Sequence, residues 1–172
     1  MRLTAHRCRV GPLDGGHDKA SFSCGVEALD RYLKTQASQD IRRRLASCFV
    51  LTPAEEPTRI VGYYTLSPTS IALTDLPARI VKRLPRYPAV GATLMGRLAV
   101  DSRCQGARLG EFLMLDAMAR ALKSEITPFA FVVDPKDEAA AKFYARFEFL
   151  PLPGGGKRLF LPMTEIAKAL FP

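Results

Sequence analysis

Gly96-Arg97-Leu98-Ala99-Val100-Asp101 and, beyond a short polar turn, Gln105-Gly106-Ala107-Arg108-Leu109-Gly110-Glu111 form the stretch on which the fold turns. Leu94 to Val100 is an apolar, β-type run that leads into a loop of small residues. That loop opens an amphipathic helix over 108–123, with Leu109, Phe112, Leu113, Ala117 and Leu122 on its apolar side. Strand, small-residue loop and helix N-terminus in that order make an anion site, because first-turn N–H groups lack intrahelical acceptors and the helix dipole adds positive charge. A pyrophosphate suits it. No Gly-Lys-Ser/Thr follows, so the loop is not a P-loop, and Gly-x-Gly-x-x-Gly is absent, so it is not a dinucleotide fingerprint.

Working outward, Val26, Leu29, Leu33 and Ala37 share one helical face, with Ser23 placed as N-cap of a helix over 26–37. Ser47–Leu51 and Ile60–Leu66 read as strands joined through Pro53 to Pro57, and a further strand near Ser70–Leu73 continues the meander. The Pro-punctuated basic stretch from Leu76 to Pro88 carries one short helix. Phe129-Ala130-Phe131-Val132-Val133 is a continuous apolar run and hence a buried strand. Asp134 is the expected cap of the next helix, with Pro135 at its first position and its end near Phe147; a strand over 158–161 and a helical turn over 165–171 close the chain. This order makes an α/β (α+β) chain: one domain over 1–172 around a mixed sheet, with helices on its faces.

The 172 residues are 48% hydrophobic, enough for a core. No apolar run approaches the roughly 20 residues that span a bilayer, and the N-terminus lacks a signal-peptide apolar region, so the expectation is a cytoplasmic protein away from membranes. Cys8, Cys24, Cys48 and Cys104 are scattered and read as free thiols. His6 and His17 stand apart from any Cys or carboxylate cluster, so no metal is assigned and a Ser-His-Asp or Cys-His hydrolase is hard to build. Net charge is +8, from 25 Lys+Arg against 17 Asp+Glu. A solvated basic face is the plain account; a polyanionic partner fits the distribution better. Arg42-Arg43-Arg44 is one group, Arg79, Lys82, Arg83 and Arg86 a second, and Arg97, Arg103 and Arg108 surround the proposed loop.

Lys142-Phe143-Tyr144-Ala145-Arg146-Phe147-Glu148-Phe149 is the other informative stretch. Phe143 and Phe147 share a face at i,i+4 and, with Phe149, read as core. Tyr144 is rotated off that face and carries a hydroxyl that needs a partner if buried.

Gln105-x-x-Arg108-x-Gly110 resembles the Gln/Arg-x-x-Gly-x-Gly/Ala signature of GCN5-related N-acetyltransferases, with Arg108 where the family usually has Gly. Phe143-Tyr144 followed by Phe147 and Phe149 resembles that family's catalytic tyrosine motif, with Glu148 in place of the usual Gly. More narrowly, Phe22-x-Cys24-Gly25, Leu29-Asp30-x-Tyr32-Leu33, Leu84-Pro85-Arg86-Tyr87-Pro88, the 96–101 run and Arg158-Leu159-Phe160-Leu161-Pro162-Met163 resemble the acetyltransferase toxins of type II toxin–antitoxin modules, over about residues 14 to 165.

The resemblance implies an acyl-CoA N-acyltransferase fold with a central, mostly antiparallel twisted sheet flanked by helices. It implies acetyl-CoA as cofactor, held by Leu98, Ala99, Val100, Gln105, Gly106, Ala107, Arg108, Leu109, Gly110, Glu111 and Phe143. Tyr144 would be the general acid for the departing thiolate, and the Val100 N–H the oxyanion donor. The acceptor would be the α-amine of an aminoacyl-tRNA, met by Arg42, Arg43, Arg79, Arg83, Arg86 and Arg97, and the product would block translation. Partners would be aminoacyl-tRNA and an antitoxin of ribbon-helix-helix type with a disordered tail; a homodimer is admitted. The chemistry agrees with that acceptor: a lysine amine near pKa 10.4 is only about 0.1% neutral at pH 7.4, an α-amine near 7.7–8.0 roughly a quarter. Such an amine hardly needs a strong base, and the second half offers only Asp134, Asp137 and Glu138. Two other readings stay open: an acetyltransferase for a small amine or a protein N-terminus, and an inactive scaffold serving as a co-repressor.

Overall fold

The strand register follows the apolar pattern almost throughout. In the computed structural model, which describes residues 3–172, seven strands form one sheet in the order β1-β2-β3-β4-β5-β7-β6. They are β1 (Cys8–Pro12), β2 (Ser47–Pro53), β3 (Gly62–Ala72), β4 (Ala89–Val100), β5 (Ala130–Val133), β6 (Leu150–Pro151) and β7 (Leu159–Pro162). The helices are α1 (Glu27–Thr35), α2 (Ala37–Arg42), α3 (Ala78–Val81), α4 (Leu109–Leu122), α5 (Glu138–Ala145) and α6 (Met163–Leu170). The β1–β2, β2–β3, β5–β7 and β6–β7 ladders are antiparallel and β4–β5 is parallel, so the sheet is mixed and mainly antiparallel, flanked by helices.

The chain packs as two compact units, residues 1–67 with 96–117, and residues 68–95 with 118–172. In the first, Leu33, Ala37, Val50, Ile60 and Tyr63 are almost wholly buried together with Phe22. Phe22 meets Tyr63 edge-on at 5.6 Å, and Tyr32 stacks on Tyr63 at 6.4 Å. The second unit has its own core of Ile71, Leu76, Ala130, Val132 and Phe160, roofed by Ile80 and Leu84 from around α3.

Several boundaries differ from the sequence reading. The helix expected over 26–37 is two helices, α1 and α2, broken at Gln36. Ser23 is not its cap: Val26 holds that position, and Asp30 accepts the Cys24 N–H at 2.8 Å. The strand expected at 70–73 is the far end of β3, which continues through Pro68 without a break. Asp134 does not cap α5; Asp137 does, accepting the Ala140 N–H at 2.8 Å, and Pro135 lies in the connecting loop. β1 went unread, because Arg9, Gly11 and Pro12 break any apolar alternation.

Three non-glycine residues have left-handed backbone: Arg44 (φ 59°), Arg108 (φ 58°) and Glu148 (φ 66°). Arg44 ends α2, its N–H bonding to the Ile41 carbonyl while Leu45 reaches back to Asp40. Arg108 and Glu148 stand where the resemblance led one to expect Gly; here the backbone shape is kept and the glycine is not. Such a conformation costs a non-glycine residue about 1–2 kcal/mol, and glycine's extra freedom when unfolded returns about 0.5–1 kcal/mol of that. Glu148→Gly should therefore raise stability by about 0.5–1 kcal/mol. Urea unfolding measures it, and a lowered midpoint would contradict this account of the turn.

Candidate active site

In the first unit the site is built at the end of β4. Asp101 is fully buried, and its carboxylate receives a two-pronged contact from Arg103, Nε to Oδ1 at 2.9 Å and Nη2 to Oδ2 at 2.8 Å. It also accepts the N–H groups of Arg103 (2.9 Å) and Ser23 (3.3 Å). Burial pushes this carboxyl up, but the Arg103 hydrogen bonds and charge outweigh burial and hold it below the usual range. The Asp101 N–H donates to the Val61 carbonyl at 2.9 Å. Successive amides of an extended strand point to opposite edges, so the Val100 N–H points away from β3. On that edge the β4–β5 ladder ends at Met95 opposite Val133, whereas β4 runs on to Val100.

The loop beyond keeps its shape through its own backbone. Gln105 Nε2 donates to the carbonyls of Val100 (3.2 Å) and Cys24 (3.3 Å). Gly106 (φ 81°) and Arg108 are left-handed and Ala107 between them is not, an alternation that turns successive N–H groups to one side just before α4 begins. That concave run of amides at a helix start fits a pyrophosphate. A cavity of about 290 Å³ adjoins it, lined by Gln105, Ala107, Arg59 and Arg103 with Glu55 and Glu56. Of the arginines expected to surround the loop, Arg103 is engaged by Asp101 and by the Ser21 carbonyl. Arg108 is turned outward but ion-paired to Glu111 at 2.6 Å. The anion site rests on amides more than on guanidinium groups.

Leu98 and Val100 are half-buried, while Ala99 is a buried member of the first unit's core, so it can offer a ligand only its backbone. Leu109 is buried and Gly110 half-buried in the first turn of α4. Arg97 stands apart from the other arginines: its guanidinium carbon lies 3.5 Å from the centre of the Tyr32 ring. The Tyr32 hydroxyl donates to Asp40 at 2.8 Å, and burial followed by this bond pushes the phenol well up. Arg42 and Arg43 are exposed at the end of α2.

In the second unit α5 carries Tyr144, buried and edge-on to Phe143 (5.5 Å) and Phe149 (5.9 Å). Burial first, and the Asp134 charge second, push its phenol up to about 12. Phe143 and Phe147 pack on each other at 5.3 Å but are only half-buried, so the expected core stripe is Phe149 with Tyr144 instead. Asp134, at the end of β5, is chelated by Arg158 at 2.8 and 2.9 Å. Arg79, Arg83 and Arg86 are exposed in and after α3. The Asp101–Arg103 and Asp134–Arg158 pairs were missed by sequence reasoning; an Asp directly after each apolar strand was the available signal.

Residues 18–149 match the acetyltransferase (GNAT) family model. The chain belongs to that family. A curated relative, the tRNA-acetylating toxin of Mycobacterium tuberculosis, is 35% identical over 155 residues, covering 89% of this chain and 90% of the relative. Among solved structures, AtaT complexed with acetyl-methionyl-tRNAfMet superposes with a TM-score of 0.88 at 28% identity, over 96% of this chain and 99% of that one. An AtaT mutant toxin bound to the C-terminus of the antitoxin AtaR matches with a TM-score of 0.80 at 25% identity, over 96% and 98%. The chain is thus an acetyltransferase whose donor is acetyl-CoA.

Asp101→Asn should lower stability at neutral pH by about 2–3 kcal/mol, the scale of hydrogen bonds to a charged group. Because the folded pKa is depressed, this stabilisation is present above the unfolded value near 3.9 and lost as pH falls through the lower folded one. Thermal unfolding at pH 7 and near pH 3 tests it: the gap between wild type and variant should shrink in acid, and a constant gap would contradict the assignment.

Proposed function

We propose that this chain transfers acetyl to the α-amine of an aminoacyl-tRNA, blocks translation by doing so, and is the toxin of a toxin–antitoxin pair. The observation that carries the reading is the 35%-identical tRNA-acetylating relative, matched over nine-tenths of both chains. Acetyl-CoA, when bound, supplies a thioester whose acyl carbon the amine attacks.

The Val100 N–H, directed away from β3, donates to the oxygen on which negative charge grows. The amides of Gln105 to Glu111 hold the pyrophosphate, and the backbone of Leu98 to Val100 lines the slot before it; Phe143, half-buried on α5, is the cofactor contact proposed from the second unit. Tyr144 holds its proton firmly, its phenol lying near 12, and hands it from Oη to the departing sulfur. The phenolate so formed is basic enough to take the proton shed by the new amide nitrogen, so the net transfer is one proton from nitrogen to sulfur. No separate strong base is required, since an α-amine near 7.7–8.0 is substantially neutral at physiological pH.

Arg42 and Arg43 at the end of α2, and Arg79, Arg83 and Arg86 around α3, are exposed cations suited to RNA phosphates. The antitoxin is proposed as a ribbon-helix-helix protein whose tail orders on the toxin; a toxin–antitoxin complex is known for the AtaT relative. A basic surface that takes RNA is also a target for an acidic tail.

Tyr144→Phe should keep the fold and acetyl-CoA binding while losing about 10²–10⁴ in turnover on aminoacyl-tRNA, followed by labelled acetyl transfer. Near-normal turnover would remove Tyr144 from the mechanism. The pH profile of wild-type kcat/KM should climb as the acceptor amine deprotonates, through about pH 7–8, and show no fall from the phenol until pH nears 12. A descending limb near pH 9 would assign the proton to another group. Neutralising Arg42, Arg43, Arg79, Arg83 and Arg86 should flatten the log–log salt dependence of tRNA binding by about 0.7–0.9 per lost phosphate contact and leave acetyl-CoA affinity as it was. An unchanged slope returns these arginines to a solvated face.

A further inference from the structure

Arg97, on β4, is set apart from Arg103 and Arg108 by its donors: its charge is felt by the nearby Asp40 carboxylate, but its N–H groups are bonded to no acceptor among the described residues. Arg103 is held by Asp101 and Arg108 by Glu111. The Arg97 guanidinium instead sits over the Tyr32 ring, its central carbon 3.5 Å from the ring centre, half-buried, with no hydrogen bond or ion pair among the described residues. The five N–H donors around its edge are left unbonded. A partly desolvated guanidinium with idle donors is costly unless an acceptor arrives.

The residues beneath it are fixed. Tyr32 is buried, stacked on Tyr63, and its hydroxyl donates to Asp40 Oδ2. Gln36 Nε2 donates to Asp40 Oδ1 at 2.9 Å, so both oxygens of that carboxylate already accept a neutral donor. Lys19, whose Nζ lies 2.9 Å from Ser38 Oγ on α2, and Arg43 add positive charge on the same helix. Arg97, Lys19 and Arg43 thus stand as three cations around the one carboxylate of Asp40.

Position supplies the second constraint. Arg97 precedes Val100 by three residues on one extended strand, a separation of about 10 Å at about 3.3 Å per residue. The bonds from an α-amine through its ester and the terminal ribose to that nucleotide's 5′ phosphate cover a similar span when extended.

We propose that Arg97, held over the Tyr32 ring, grips the 5′ phosphate of the acceptor's terminal nucleotide and so sets the distance at which the α-amine meets the acyl carbon. This inference rests on the aminoacyl-tRNA reading above. It makes Arg97 a sensor of the phosphorylated 3′ end, separate in role from the exposed arginines that meet the body of the RNA. Lysine is a weaker replacement, because an ammonium keeps the charge but lacks the planar fork of donors that a guanidinium offers a phosphate.

The test is steady-state acetyl transfer by wild type, Arg97→Lys and Arg97→Met to three acceptors bearing the same amino acid. These are full aminoacyl-tRNA, 3′-aminoacyl-adenosine 5′-phosphate, and 3′-aminoacyl-adenosine without the phosphate. In wild type the phosphate should lower KM about tenfold, the worth of one charge-assisted hydrogen bond; that advantage should vanish in Arg97→Met and shrink in Arg97→Lys. The phosphate-free acceptor and acetyl-CoA should keep their wild-type KM in every protein. The salt slope for aminoacyl-tRNA should fall by about 0.7 in Arg97→Met, which loses the charge. Equal losses with and without the phosphate would overturn the proposal and leave Arg97 as a support for Tyr32. If Arg97→Met does not fold, Arg97→Lys and the wild-type comparison of the two adenosine acceptors still decide. Wild type that acetylates a simple amine but none of the aminoacyl acceptors would defeat the aminoacyl-tRNA reading itself, and this proposal with it.

Discussion

A single buried carboxylate organises the first unit. Asp101 is removed from water, which an unpaired carboxylate could not tolerate, so it must recruit donors from wherever the chain can bring them. It takes them from its own turn, through the Arg103 backbone and guanidinium, and from the distant Ser23 amide. The result ties the segment before α1 to the end of β4. The direction of the Val100 N–H follows from the neighbouring Asp101 N–H, which bonds the Val61 carbonyl, and the carboxylate ties that same residue in place. Gln105 adds a second tie by bonding the Val100 carbonyl. An oxyanion donor must be in place before charge develops, and for the role proposed for the Val100 N–H a strand end pinned on both sides meets that need without reorganisation.

The anion loop follows a related logic. Its contribution comes from backbone direction, so side-chain identity is loosely constrained wherever the φ angle can be held. Arg108 keeps a left-handed backbone and turns its long side chain out to Glu111, leaving the amide edge open. Glu148 likewise keeps a left-handed backbone in the turn after α5. A motif written in residue names treats both positions as departures; in backbone angles neither is one.

That distinction explains what could be read from the sequence. The strand–loop–helix of residues 94–123, the buried strand at 130–133 and the aromatic run around Tyr144 were legible, because each carries a strong local pattern. The break between α1 and α2 was not, since Gln36 is an ordinary helix former and only its φ of −118° marks the change. Pro68 looked like an interruption, yet proline is tolerated in a strand at positions that need no donor, and β3 runs through it. Asp134 and Asp137 are equally plausible caps by composition. Asp134 is drawn instead to Arg158, a residue 24 positions away, and no local rule foresees such a pairing. The aromatic residues reversed for a similar reason: burial of Tyr144 and Phe149, with Phe143 and Phe147 only half covered, depends on what packs against α5, which helical spacing alone cannot specify.

The site also divides its labour in a way that bears on specificity. In the proposed mechanism, amides and a protonated phenol treat any acyl acceptor alike, since they act on the donor's oxygen and sulfur. Discrimination must then come from the acceptor's own acidity and from charges placed to receive its polyanionic remainder. A weakly basic amine passes the first test because it is already neutral, and a lysine side chain fails it by about two to three powers of ten in neutral fraction. Exposed arginines raise encounter with any polyanion, but their contacts carry little information about where the reactive end lies. A half-buried guanidinium held over a fixed ring is different: its donors occupy one plane at one distance along β4, so it can measure position as well as charge. In the proposed role, the N–H donors that Arg97 leaves unbonded inside the protein are what make it selective toward an acceptor outside it.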